Sequence, residues 1–115
     1  MDNYFLETPI FKIWIDLIDY LTPRTSFLIN KLNFQFVDLT CSREGVIKTF
    51  KKEEIKLELV FAHENRKFFC RLTECKSGAP IKWRTTPPPQ NALKKDFAEL
   101  ELEIDSWLAF LKTGL

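Results

Sequence analysis

Two stretches, Ile55-Lys56-Leu57-Glu58-Leu59-Val60-Phe61 and Lys67-Phe68-Phe69-Cys70-Arg71-Leu72, decide the fold. In the first, Ile55, Leu57, Leu59 and Phe61 alternate with Lys56, Glu58 and Val60, the period of two that marks a half-buried strand. In the second, Phe68, Cys70 and Leu72 alternate with Lys67, Phe69 and Arg71. Joined by a tight turn centred on Glu64-Asn65, the two strands register themselves. Phe61 meets Phe68, Leu59 meets Cys70 and Leu57 meets Leu72 on one face. On the other, Glu58 faces Arg71 and Val60 faces Phe69. Both faces are chemically matched, and a slip of one residue would spoil both.

Two more strands precede this hairpin. Phe34 to Cys41 reads as a strand, Ser42-Arg43-Glu44-Gly45 as a turn, Val46 to Phe50 as a second strand and Lys51-Lys52-Glu53-Glu54 as a turn. Placing Phe50 on the inner face also turns Lys48 inward. Further upstream the period is helical. Thr8 is the N-cap and Pro9 the first helical residue, followed by Ile10, Ile13, Trp14, Leu17, Ile18 and Leu21 at helical spacing. Thr22-Pro23 repeats the cap-and-proline pattern, which predicts a second short helix to about Leu32, with Phe27, Leu28 and Leu32 buried. Asn33 is the left-handed residue that ends it.

Downstream, Lys76-Ser77-Gly78-Ala79-Pro80 breaks the sheet. Ile81 to Thr86 is a candidate edge strand, and Pro87-Pro88-Pro89 is an extended connector. Leu93, Phe97, Leu100, Ile104, Trp107, Leu108 and Leu111 form one apolar stripe on a terminal helix, with Gly114 just past its end. Such a stripe covers a sheet. The expectation is a single α+β domain over residues 1–115: N-terminal helices, an antiparallel meander of about four strands, and a long C-terminal amphipathic helix packed on the sheet.

Composition limits function. The 115 residues are 45% hydrophobic and 29% charged, a globular balance. Seventeen basic against sixteen acidic side chains leave a net charge of +1, unlike the basic excess of general nucleic-acid binders. Charge is uneven: residues 43–84 carry a net +5 and residues 90–115 a net −2. Basic strands with Phe69 between Lys67 and Arg71 leave open a small nucleic-acid-binding or regulatory protein. An ordinary solvated sheet face, with Glu58 pairing Arg71, explains the same residues. No apolar run approaches the ~20 residues of a membrane span. Met1-Asp2-Asn3 opens no basic export signal, and a cytoplasmic location is expected.

Chemistry is sparse. The one histidine, His63, falls at a hairpin tip and reads as a solvated turn residue rather than a general base. Cys41, Cys70 and Cys75 are odd in number, so they are expected reduced, and they do not make a zinc set. The three glycines stand apart at 45, 78 and 114, without a phosphate-cradling loop. Neither a catalytic constellation nor a cofactor is expected.

A family resemblance adds to this. The helix exit Leu32-Asn33-Phe34, the Gly45 turn into Val46-Ile47-Lys48-Thr49-Phe50, the strand Ile55-x-Leu57-x-Leu59-x-Phe61, its partner and the terminal helix occur in that order. The arrangement resembles the small immunity-type proteins found beside toxins of bacterial competition systems. Asn33 stands where that group commonly has glycine. The resemblance implies a non-catalytic inhibitor that neutralises a cognate toxin by surface occlusion. The group shares no fixed contact residues, so none is carried over. A structural subunit or homodimer is a third reading.

The outer face of the terminal helix supplies the candidate partner-binding residues. At 100° per residue Leu102 points away from the stripe, ringed by Glu99, Glu101, Glu103 and Asp105, with Phe110 farther round. An apolar centre with a charged rim is a common interface design. The other reading covers Leu102 with the N-terminal helix or the proline connector.

Overall fold

The structure is a computed structural model that describes residues 9–63, 66–83, 86–88 and 97–115, with side chains from residue 15 onward in the first helix and from 99 onward in the last. Helix α1 (Pro9–Arg24) and short helix α2 (Ser26–Asn30) lead into strands β1 (Gln35–Cys41), β2 (Gly45–Lys52), β3 (Ile55–Ala62) and β4 (Lys67–Glu74), and helix α3 (Phe97–Gly114) follows. The sheet is an antiparallel meander in chain order, β1-β2-β3-β4. This is the α+β arrangement expected.

The β3–β4 register agrees residue for residue with the alternation: Phe61↔Phe68, Val60↔Phe69, Leu59↔Cys70, Glu58↔Arg71 and Leu57↔Leu72. The Phe61 and Phe68 rings lie 5.0 Å apart between centroids, both fully buried. Arg71 Nε sits 3.3 Å from Glu58 Oε1, and its Nη1 donates to Glu44 Oε1 at 3.0 Å. The inner face, with Val46, Phe50, Leu57, Leu59 and Phe61, packs in one core with Leu17 and Leu21 of α1, Leu28 of α2 and Leu100, Ile104, Trp107, Leu108 and Leu111 of α3. Each fully buried side chain of this kind contributes roughly 1.5–3 kcal/mol.

Lys48 does turn inward with Phe50 and is nearly buried. Asn33 is left-handed, at φ 63°, and beyond it the Phe34 N–H donates to the Leu28 carbonyl at 2.8 Å.

Four expectations need correcting. Pro23 does not start a helix; it lies inside α1, and the break comes at Thr25. The proline removes one donor near the helix end, where the Thr22 hydroxyl still donates to the Ile18 carbonyl and Thr25 N–H still reaches the Leu21 carbonyl. Thr25, buried, breaks the helix with φ −98° and ψ 3°. Strand β1 is not cleanly alternating, because a bulge between Phe36 and Asp38 interrupts its pairing with β2. Residues 81–83 form no strand; the chain meets β4 earlier, through a Thr73↔Pro80 bridge flanked by Ala79 and Ile81. His63 is half-buried against the 42–45 turn, where its N–H donates to the Glu44 carbonyl at 2.9 Å. Desolvation lowers the His63 pKa from the usual 6.5, and a hydrogen bond with the Ser42 backbone partly opposes this. The Thr8 cap, the Glu64-Asn65 turn centre, Arg84-Thr85, Pro89 and the helix start at Leu93 lie outside the described residues.

Of the three glycines, Gly45 makes the closest approach to another strand's backbone. Its φ is +150°, and a Cβ there would lie 1.8 Å from the Phe61 carbonyl oxygen. Gly78 also has positive φ, +71°, but nothing lies within 4 Å of its missing Cβ. Gly45→Ala is therefore expected to lose at least about 2 kcal/mol, from strain and clash together. Gly78→Ala should lose only about 1 kcal/mol. Urea unfolding of both variants checks this: the two midpoints should separate while the slope stays constant.

Candidate functional site

The two edges of the sheet are treated differently. On β4 the outer edge is bonded at Phe68, Leu72 and Glu74. Glu103 of α3 accepts a hydrogen bond from the Phe68 N–H at 2.5 Å. Leu72 receives the Ile81 N–H at 2.8 Å, and the Glu74 N–H donates to the Ala79 carbonyl at 2.9 Å. On β1, among the described residues, no hydrogen bond reaches the outer edge. All seven residues of β1 are exposed, and Phe36, Val37 and Leu39 retain 50%, 50% and 44% of their accessible surface. An open edge carrying apolar side chains and only one charge, Asp38, lacks the usual protections against pairing.

The exposure of β1 has a geometric cause. Pairing sets Phe36 opposite Phe50, Leu39 opposite Lys48 and Cys41 opposite Val46, so these three β1 residues share the helix-facing side of the sheet. The helical layer stops short of them. Ile29 on α2 is 46% exposed, and Ile15 on α1 is exposed as well. Between α2 and the strands runs an open groove of about 430 Å³, walled by Ile29, Phe36 and Phe50 and edged by Thr22, Thr25 and Ser26. Lys48 is its floor. The ammonium lies 5.6 Å from the centroids of both the Phe36 and Phe50 rings, and desolvation alone holds its pKa below the usual 10.5. No carboxylate contributes to that shift.

The six residues expected on the outer face of α3 have diverse roles. Leu102 is the most exposed large apolar residue described, at 67%. Glu99 is exposed and Glu101 half-buried. Glu103 is tied to the β4 edge, and Asp105 accepts the Tyr20 hydroxyl at 2.7 Å, joining α3 to α1. That bond is the main reason the Tyr20 pKa is raised. Phe110 packs in an aromatic cluster, 5.0 Å from Trp83 and 5.7 Å from Trp107. The structure thus leaves Leu102 and Glu99 exposed and Glu101 half-buried, while Glu103, Asp105 and Phe110 tie α3 to other elements or to its own aromatic cluster.

The basic outer sheet face is also partly spent. Arg71 is held by Glu44 and Glu58, while Lys67 and Arg71 flank the Phe69 ring at 5.5 and 5.8 Å. Val60 beneath them is fully buried. Long charged side chains here cover apolar surface with their stems.

Cys41 is exposed, Cys75 half-buried and Cys70 buried, all three as free thiols, and burial raises the Cys70 pKa well above the usual 9.0. Among the described residues no three His, Cys, Asp or Glu side chains group as a metal set, and no helix is long and apolar enough to cross a membrane. Comparison with family models, curated proteins and solved structures gives no match.

Sequence reasoning placed Lys48 inside but did not single out the β1 face. The available signal was Phe36, Val37 and Leu39 in one strand, beside a lysine that must share the inner face.

Lys48→Met keeps the length and apolar stem while removing the desolvated charge. It should raise the urea midpoint at pH 7. The unfolded chain binds the Lys48 proton more tightly than the native one, so wild-type stability rises as pH climbs through the depressed native pKa toward 10.5. The advantage of Lys48→Met should therefore shrink over that window. Paired urea titrations from pH 7 to 10.5 measure it.

Proposed function

We propose that this chain is a non-catalytic protein-binding domain, an immunity-type inhibitor that neutralises a cognate bacterial toxin in the cytoplasm by occluding its surface. The observation that carries this reading is the open edge of β1. One sheet edge is closed by Glu103, Ala79 and Ile81, while the other presents Phe36, Val37 and Leu39 with no bond to its outer side among the described residues. An exposed strand edge recognises protein by strand addition: main-chain hydrogen bonds supply affinity and alternate side chains supply specificity.

The resemblance to immunity-type proteins agrees with inhibition by contact. The groove beside β1 extends the same surface, giving an apolar centre next to polar Thr22 and Ser26. The basic outer face supports nucleic-acid binding less well, because Arg71 is already paired and Phe69 is flanked.

The test uses tagged wild-type chain, Leu39→Lys and Leu102→Arg as baits in native lysate. Leu102→Arg should stay within about 0.5 kcal/mol of wild type in urea unfolding, and Leu39→Lys, which sets a second lysine opposite Lys48, within about 1 kcal/mol. One dominant protein should co-purify with wild type and with Leu102→Arg, and fall at least about five-fold with Leu39→Lys, as for a residue central to an interface. The purified partner should then bind the chain directly. Equal recovery on Leu39→Lys would overturn the β1 assignment, and loss on Leu102→Arg instead would move the binding face to α3. Recovery of nucleic acid, released steeply by salt, would favour the nucleic-acid alternative.

A further inference from the structure

The groove beside β1 holds two free donors and no acid. The Lys48 side chain is only 9% exposed, and its ammonium has ring faces near it but no hydrogen-bond acceptor among the described residues. The Ser26 hydroxyl, at the groove edge, likewise bonds to nothing described. The Thr22 and Thr25 hydroxyls are committed, donating to the Ile18 carbonyl at 2.8 Å and the Thr22 carbonyl at 3.1 Å. The remaining walls, Ile29, Phe36 and Phe50, are apolar.

A lysine in such a place is costly to the free protein. Its neighbours Phe50 and Leu59 show that an apolar side chain suits this face of the sheet. Its ion pairs are absent: the two described salt bridges both belong to Arg71 on the opposite face. An ammonium partly stripped of its hydration, beside a second free donor, is prepared for an anionic acceptor. The desolvation that usually offsets a buried ion pair has here been met during folding for one partner.

We infer that the groove receives a carboxylate from the partner protein: an Asp or Glu side chain seated on Lys48 and Ser26, flanked by apolar residues lying on Ile29 and Phe36. This deepens the reading of the β1 face as a protein-binding surface and rests on it. A polypeptide is favoured because Phe36 belongs both to the groove wall and to the exposed strand β1. An extended segment pairing with that edge places alternate side chains toward the groove. The seated carboxylate would favour the Lys48 ammonium and return its pKa toward 10.5.

The test is NMR titration of the 15N-labelled full chain with three probes. These are the capped pentapeptide Val-Thr-Glu-Thr-Phe, whose Val, Glu and Phe share one face of an extended segment, its counterpart with Gln for Glu, and 3-phenylpropionate as a free carboxylate. The Glu peptide should shift the Ile29, Phe36 and Lys48 amides and bind at least about five-fold more tightly than the Gln peptide, as a charge-assisted bond requires. Lys48→Met should abolish that preference, whereas Lys48→Arg should keep part of it; thermal unfolding confirms that both variants fold. Equal affinity of the two peptides, shifts confined to other residues, or no shift at all would overturn the inference. Binding of 3-phenylpropionate without the Glu peptide would overturn the protein occupant. The Leu39→Lys capture experiment reads the exposed β1 strand as a whole, not the Glu-over-Gln preference that belongs to Lys48. Loss of the partner there, with equal Glu and Gln binding here, would remove this inference and leave the β1 reading standing.

Discussion

The tilted contact of the Phe61 and Phe68 rings is the one on which the rest of this molecule depends. Two fully buried rings, 5.0 Å apart, pin the β3–β4 hairpin at its closed end. Because side chains alternate along a strand, that one pairing sends Leu57, Leu59, Cys70 and Leu72 to the same side. It supplies the apolar floor for Leu100, Ile104 and Leu111. It also places the Phe68 N–H where Glu103 accepts its hydrogen bond. A slip by one residue would turn the floor to solvent and present Glu58 and Arg71 to the helix.

From this centre the sheet becomes progressively less covered toward β1. The helix α3 takes the β4 side, α1 joins it through the Tyr20–Asp105 hydrogen bond, and α2 closes over Phe34 and Phe50. Nothing described continues the layer over Phe36 and Leu39. The acidic residues of α3 partly serve internal roles at Phe68 and Tyr20, which removes them from the outer rim. The groove at Lys48 lies where the helical layer ends. Structure and chemistry coincide there, since the lysine is too buried for ordinary solvation and too open for a hydrocarbon core.

The strand pairing was legible because it depends on local alternation, and alternation is written residue by residue. The same holds for the buried stripe of α3 and for Asn33, whose short polar side chain suits the left-handed region. Lys48 was legible by implication from Phe50. What sequence could not supply was coverage. Phe36 and Leu39 look like core residues in the text of the chain, and only the extent of α1 and α2 shows them uncovered. Pro23 misled for a related reason: a threonine-proline pair reads alike at the start of one helix and in the last turn of another. The roles of Glu103 and Asp105 depend on contacts 35 and 85 residues away, beyond any local pattern.

The closure of β4 by later parts of the chain gives the order of synthesis a meaning. Strands pair with their immediate sequence neighbours, so the meander can assemble as it leaves the ribosome. Ala79 and Ile81 follow almost at once and secure Leu72 and Glu74. Glu103 emerges much later. Until then a nascent sheet bears an open margin at β1, a β4 margin still bare at Phe68, and an apolar floor without its lid, the state in which a chain is most prone to join its neighbours. Arrival of α3 thus completes the closure of β4 and leaves the exposure on one side.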